Sequence, residues 1–191
     1  MRCYIYLFRH GMTEDNAEGV FSGWRDTKLT ERGIRDAKIV ALRLKDKRVD
    51  AAYRTRLSRS RDTLKEVLKF HPECRRIIQD DRIIERNYGK LQGKTHLEVV
   101  EKYGPKMYDK WHRSYNSRPP YGESFKDIEK RVRSFIRELL KMMKEKKVNV
   151  AISAHGNSMR PFRRYFEKLS IKQMCALYND YEAVYIYSVE V

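Results

Sequence analysis

Two short apolar runs, far apart in the chain, end in the same way. Cys3 to Phe8 is β-branched and aromatic and stops at Arg9-His10-Gly11, and Val148 to Ser153 stops at Ala154-His155-Gly156. Runs of this length, closed abruptly by glycine, read as buried strands feeding loops. Ligands of open α/β sheets bind beyond the carboxyl ends of the strands, where strand order reverses. The repeated ending therefore predicts two imidazoles facing each other across one pocket, and the glycine after each lets the backbone turn sharply and approach a ligand.

The segments around these runs alternate in period. Ile34, Ala37, Val40, Ala41 and Leu44 fall at helical spacing behind Thr30, a predicted N-cap, over residues 30–47. A strand over Val49–Tyr53, a helix over Leu57–Phe70 and a strand over Arg75–Gln79 follow. Ser124 and Asp127 have capping-box spacing ahead of a stripe formed by Phe125, Ile128, Val132, Phe135, Ile136, Leu139 and Leu140. Ala183–Val191 supplies a closing strand. Such alternation predicts an α/β layer fold, and 191 residues suit a single domain, 1–191. Residues 80–122 are richer in Gly, Pro and aromatics, with one predicted helix over Thr95–Tyr103, and read as an insertion over the sheet.

Lys and Arg number 42 against 26 Asp and Glu, a net charge of +16, so anionic partners are expected. Nucleic acid, an acidic membrane face and a small phosphorylated metabolite all fit that charge. No helix-turn-helix, RNP-like or zinc-finger pattern supports the first, and Arg160, Arg163 and Arg164 beside Tyr165 and Phe166 read as a solvated helix face. A P-loop, GxxxxGK[ST], is absent. Three scattered cysteines, Cys3, Cys74 and Cys175, signal neither a disulfide framework nor a zinc site, and the carboxylates show no ligand cluster, so no metal is expected. With no run near ~20 apolar residues and no signal-like start, a soluble cytoplasmic protein with reduced thiols is expected.

Three further residues draw attention. Glu85 follows an apolar pair in Ile84-Glu85-Arg86-Asn87-Tyr88-Gly89, Arg9 adjoins the first histidine, and Arg59 opens the second predicted helix. Arginine suits phosphate because its planar fork donates parallel hydrogen bonds and stays charged. Taken in order, Arg9-His10-Gly11, Asn16, Phe21-Ser22-Gly23-Trp24, Asp26, Leu29-Thr30, Gly33, Leu57 to Thr63, Glu85 to Gly89, Leu91-Gln92-Gly93, Trp111 to Arg113 and His155-Gly156-Asn157-Ser158 resemble the histidine phosphatase superfamily. Within it, the chain looks most like the 2,3-bisphosphoglycerate-dependent phosphoglycerate mutases.

That resemblance implies a phosphoglycerate mutase-like three-layer sandwich, with a mostly parallel central sheet, helices on both faces, and the 80–122 insertion covering the active site. It implies interconversion of 3-phosphoglycerate and 2-phosphoglycerate, with 2,3-bisphosphoglycerate as phosphoryl primer and no metal. His10 would become phosphohistidine, Arg9, Arg59 and His155 would hold the phosphoryl oxygens, and Glu85 would be the general acid. Asn16, Ser22, Gly23, Gly156 and Asn157 would bond phosphate and substrate, and Arg86, Tyr88, His96, His112 and Arg113 would meet the carboxylate and second phosphate. A histidine attacks only when neutral, and neighbouring guanidinium charge disfavours its protonated form.

The chain departs from the mutase pattern in places. His96 stands where lysine is usual, and His112 replaces the first arginine of an Arg-Arg pair. Grip on a bisphosphate is then expected to weaken as these histidines deprotonate near about pH 6 to 7. Ser22 stands for a common threonine, keeping the hydroxyl. The short link Asn116–Glu123 is of the kind that phosphatase members tend to show, which makes a phosphomonoesterase using the same His10 and Glu85 the alternative. The expected partner is a small phosphorylated metabolite, with no nucleic acid and no membrane, and the assembly a monomer or homodimer.

Overall fold

Alternation within the first strand, β1 (Arg2–Arg9), decides the layering: Ile5 and Leu7 pack into one core cluster and Tyr6 and Phe8 into another. A computed structural model describes residues 1–191. It joins β1 to β2 (Ala51–Arg54), β3 (Arg76–Gln79), β4 (Val150–Ala154) and β5 (Val184–Glu190) in one sheet of order β3-β2-β4-β1-β5. The first four strands run parallel, and β5 is antiparallel to β1. This is the mostly parallel α/β sheet that the alternation predicts.

Eight α-helices accompany the strands: α1 (Glu14–Ala17), α2 (Glu31–Leu44), α3 (Ser58–Leu68), α4 (His96–Tyr103), α5 (Pro105–Arg113), α6 (Phe125–Lys146), α7 (Gly156–Glu167) and α8 (Ile171–Ala176). Val40, Ala41 and Leu44 of α2, with Leu64 and Val67 of α3, cover Tyr6, Phe8 and Ala52. Ile128, Val132, Phe135 and Ile136 of α6, with Phe162 of α7, cover Ile5, Leu7 and Ile152. Helices thus lie on both faces, and the apolar area they bury is the main favourable term in folding. The two predicted caps form: Thr30 Oγ1 accepts from the Gly33 amide at 3.0 Å, and Ser124 and Asp127 complete a capping box.

The strand ends create the crevice. β1 and β4 are parallel neighbours in a register that pairs Arg9 with Ala154. From β1 the chain leaves through α2 toward β2, whereas from β4 it leaves through α7 and α8 toward β5 on the other side. Adjacent strands with opposite exits form the switch point where such sheets bind ligands. Close packing at this edge needs two glycines. A Cβ on Gly11 would lie 2.1 Å from the Gly33 carbonyl oxygen, and one on Gly33 would lie 2.0 Å from that of Met12.

Residues 80–122 hold more helix than the sequence periodicity predicts. After the 3-10 turns Asp81–Ile83 and Gly89–Leu91 and the helix α4, Gly104 turns the chain at φ +80° and Pro105 starts α5 at a position where its missing N–H costs nothing. Trp111 anchors α5 on a small core of Phe21, Tyr88, Leu91 and Val99. At the far end of the sheet, the Val191 amide donates to the Met1 carbonyl at 2.9 Å, so the end of β5 lies away from His10. The three cysteines are free thiols, and no helix is long and apolar enough to cross a membrane.

Candidate active site

The two strand-end histidines meet. The His10 amide donates to the Ala154 carbonyl at 3.1 Å, continuing the ladder by one step, and the His10 and His155 rings lie 5.0 Å apart between centroids at 57°. His10 Nδ1 is 2.8 Å from the carbonyl oxygen of Gly11. A carbonyl only accepts, so Nδ1 carries the hydrogen and Nε2 keeps the lone pair. Burial, then Arg59 and Arg9, hold the His10 pKa well below the ordinary imidazole value, against the opposing bond to Gly11. His10 is thus a neutral base, as the sequence leads one to expect.

Four buried polar atoms around it have no partner: Arg9 Nε, Arg59 Nε, His155 Nδ1 and Ser22 Oγ. Buried donors are rarely left unpaired unless a ligand or ion completes them. Their other atoms are well held. Arg59 donates through Nη1 to the Arg25 carbonyl at 2.7 Å and through Nη2 to that of Gly23 at 2.8 Å. Arg9 donates through Nη1 to the Asn179 carbonyl at 3.1 Å, with its guanidinium 3.9 Å over the Tyr181 ring. His155 Nε2 lies 2.8 Å from the Thr55 hydroxyl, and burial with nearby Arg59 keeps this imidazole neutral too. A Thr55 hydroxyl donating to Nε2 leaves His155 Nδ1–H free to donate to an anion.

Glu85 brings a carboxyl group to the cavity wall. It is 7% exposed, and its Oε1 accepts from the amides of Arg86 at 2.7 Å and Asn157 at 3.1 Å. Its backbone carbonyl is held by Trp24 Nε1 and Arg131. Two amide donors fix the carboxyl beside His10 while the second oxygen carries no such bond.

His10, Glu85 and His155 bring donor atoms within 4.8 Å of one another, a cluster that sequence spacing conceals because the three come from distant segments. Two guanidiniums border it, so the electrostatics favour an anion over a cation.

A cavity of about 330 Å³ opens here, within the usual range for small-molecule sites. Its wall includes Arg9, His10, Arg59 and Glu85, and also Asn16, Ser22, Gly23, Tyr88, His96, His112, Gly156 and Asn157, all expected from the sequence. His155 is fully buried just behind it.

Two expected residues lie elsewhere. Arg86 is completely buried and donates to the carbonyls of Glu123 (2.7 Å), His112 (3.2 Å), Trp111 (2.7 Å) and Ser117 (3.3 Å), tying α5 to the start of α6. Its charge serves the backbone, not the cavity. Arg113 falls on the outer face of α5, 72% exposed beside Asp109, because the helical turn that points His112 inward points its neighbour out.

The expected titration of the other two histidines is also corrected. His96 and His112 both reach the cavity, but burial lowers both, His112 to about 3, with His96, Arg160, Arg86 and Arg113 adding to the latter. His112 is therefore neutral across the range near pH 6 to 7 in which unperturbed histidines titrate, and His96 is shifted toward its neutral form. Arg160 departs from its expected place on a solvated helix face. It turns inward onto the cavity wall and donates to the Cys175 carbonyl at 2.8 Å, instead of joining a solvated face. Arg163 and Arg164 pair with Glu167 and Glu129. Asn179 and Tyr181, ahead of β5, complete the wall. No periodic signal marks them, and only their place just before a strand could have drawn notice.

The comparisons with known proteins agree with this geometry. The family described as histidine phosphatase superfamily (branch 1) matches residues 5–190. A 2,3-bisphosphoglycerate-dependent phosphoglycerate mutase of Cytophaga hutchinsonii is 37% identical over 166 residues, 87% of this chain and 78% of its own. One from Parvibaculum lavamentivorans is 35% identical over 189 residues, 97% and 90% of the two chains. Among solved structures, Bacillus stearothermophilus YhfR superposes with TM-score 0.85 at 27% identity, covering 96% of this chain and 90% of that one. Mycobacterial glucosyl-3-phosphoglycerate phosphatase superposes with TM-score 0.84 at 25% identity, covering 98% and 91%.

Proposed function

Because this chain belongs to the histidine phosphatase superfamily, branch 1, we propose that it interconverts 3-phosphoglycerate and 2-phosphoglycerate through a phosphohistidine at His10, primed by 2,3-bisphosphoglycerate. His10 Nε2 attacks phosphorus, and the ester oxygen leaves with a proton from Glu85. Arg9, Arg59 and His155 hold the three equatorial oxygens as charge spreads over them. In the second half, a glycerate hydroxyl attacks the phosphohistidine, Glu85 takes its proton, and the P–N electron pair returns to Nε2.

The observation that carries the covalent step is the Gly11 carbonyl on Nδ1 of His10, which leaves Nε2 as a neutral nucleophile at 2% residue exposure. Support for the mutase over simple hydrolysis comes from the Parvibaculum relative. That alignment spans 189 residues and takes in 97% of this chain, so there is room in it for only a handful of insertions. A mutase-named relative therefore matches through the short link at residues 116–123.

Hydrolysis is the second reading, favoured by the cations. With Arg86 bonded to backbone, Arg113 outside, His112 neutral and His96 shifted toward its neutral form, Arg160 is the main remaining charge for a second anionic group. Purified protein with 3-phosphoglycerate, with and without the bisphosphate, separates the two. The mutase yields 2-phosphoglycerate at a rate that rises with the primer, whereas inorganic phosphate without 2-phosphoglycerate overturns it in favour of the esterase.

A further inference from the structure

The catalytic cavity uses three arginines, Arg9, Arg59 and Arg160, and leaves most of the +16 net charge without a role. Part of that excess is ordered along α6. Lys126, Lys130, Arg133, Arg137, Lys141 and Lys144 recur every three or four residues, and all are exposed. At about 100° per residue the six fall within an arc of about 80°, and a rise of about 1.5 Å per residue makes the row about 27 Å long. No other residue of α6 lies in that arc.

Helix formation alone does not account for this row. Like charges three or four residues apart repel and weaken a helix, whereas a face that meets only water gains from alternating signs. Carboxylates reach two of the six, Glu129 beside Arg133 at 2.9 Å and Glu145 beside Lys141 at 3.9 Å. Glu129 is shared with Arg164 and the Tyr115 hydroxyl, and Lys126, Lys130, Arg137 and Lys144 form no ion pair. The apolar side of α6, from Phe125 to Leu139, is already packed in the core, so the helix has no apolar flank with which to enter a bilayer. No aromatic residue stands in the row, so unpaired bases find nothing there to stack on. A rigid, repeating line of phosphates is the complement that remains. A duplex offers one negative charge per about 1.7 Å of its axis, dense enough for each cation to meet one in any register.

We propose that the exposed face of α6 binds the phosphate backbone of duplex nucleic acid without reading its bases. Binding of this kind needs none of the motifs whose absence from the sequence points away from nucleic acid, because phosphate contacts position a protein and base contacts specify. None of the six cations lines the catalytic cavity, so the surface stands whether the enzyme is a mutase or an esterase.

Fluorescence anisotropy of a labelled DNA duplex, titrated with the protein between about 50 and 200 mM salt, tests this. The logarithm of the binding constant is expected to fall with that of the salt concentration at a slope between about −3.6 and −5.4, for four to six contacts at about −0.9 each. Two duplexes of unrelated sequence should bind equally. Replacing Lys130→Gln, Arg137→Gln and Lys141→Gln together should make the slope shallower by about 2.7 and weaken binding at least about tenfold. Replacing Arg35→Gln, Lys38→Gln and Lys65→Gln removes the same charge from α2 and α3, on the opposite face of the sheet, and should leave both quantities as in the unaltered protein. Both variants should melt as the unaltered protein does. Equal losses in the two variants would reduce the binding to net charge and overturn the surface. Unchanged binding by the α6 variant, or capture of the protein by phosphatidylserine vesicles with none by the duplex, overturns it as well.

Discussion

The Thr55 hydroxyl lies 2.8 Å from Nε2 of His155, and neither residue is exposed. Thr55 is itself fixed, because its amide donates to Ser60 Oγ at 3.0 Å, so the hydroxyl selects the face that His155 turns toward His10. Thr55→Val keeps the volume and removes the bond. Nε2 is then left unpaired, at a cost of about 1 to 3 kcal/mol, and the hydrogen is free to move from Nδ1 to Nε2. Phosphoryl transfer is expected to slow by about tenfold or more while Thr55→Ser retains most of it, as seen by rapid-quench labelling of His10. Equal rates for the Val and Ser variants would show that the hydroxyl does not orient the imidazole.

Four histidines with lowered pKa values make stability depend on pH in one direction. His10, His155, His96 and His112 all have folded pKa values below the ordinary one. Below about pH 6.5 the unfolded chain takes up protons at these sites before the folded chain does, so folding weakens as pH falls. Each group contributes a slope of up to about 1.4 kcal/mol per pH unit until its folded pKa is reached. Urea midpoints should therefore be level from about pH 8 to 7 and fall between about pH 6.5 and 5, before most carboxylates titrate. A flat profile to pH 5 would contradict the buried neutral imidazoles.

The two misplaced arginines separate structure from catalysis. Arg113→Ala removes an exposed side chain 3.6 Å from Asp109 and is expected to change stability by no more than about 0.5 kcal/mol and KM by less than about twofold. Arg86→Met strips four backbone carbonyls of their donor in a fully buried place, and a loss of about 3 to 5 kcal/mol is expected. Thermal melts of the pair check this. A large KM effect from Arg113→Ala would return that residue to the site.

The contrast also shows what the chain discloses by itself. His10, His155 and the layering were legible because strand and helix periods are local, and because an apolar run ending in His-Gly is unusual enough to notice. Arg9 followed from its place beside the first of those ends, Arg59 from the start of a predicted helix and Glu85 from its place after an apolar pair, each together with family resemblance. Arg86 and Arg113 could not be told apart that way. Their fates depend on the phase of α5, a helix whose start at Gly104-Pro105 looks like a simple break. Arg160 was hidden for the same reason: one turn into α7, its direction is set by α8 packing alongside it. The pKa values of His96 and His112 depend on burial, which no single-sequence pattern reports.

Restoring charge at His112 tests what its neutral imidazole does. His112→Arg places a permanent cation on the cavity wall, and binding of 2,3-bisphosphoglycerate is expected to tighten by about tenfold. The new guanidinium also joins Arg160 and Arg86, so a loss of about 1 to 3 kcal/mol in stability should accompany it. Calorimetric titration with the bisphosphate reads the first effect and a denaturant curve the second. Unchanged affinity would mean that the second phosphate does not reach α5.

Glu85 offers the sharpest separation, because its proton is needed only when the leaving oxygen is basic. Glu85→Gln keeps an oxygen to accept from the Arg86 and Asn157 amides, so the loop geometry should survive. It cannot give up a proton as a carboxylic acid does. Transfer from 3-phosphoglycerate, whose alcohol leaves poorly without protonation, is expected to fall by roughly 10² to 10⁴. p-Nitrophenyl phosphate releases a stable phenolate, so formation of phosphorylated His10 from it should fall far less. Single-turnover labelling with both esters measures the two rates on the same variant. An equal loss for both would mean that Glu85 holds the substrate or the loop and does not donate the proton.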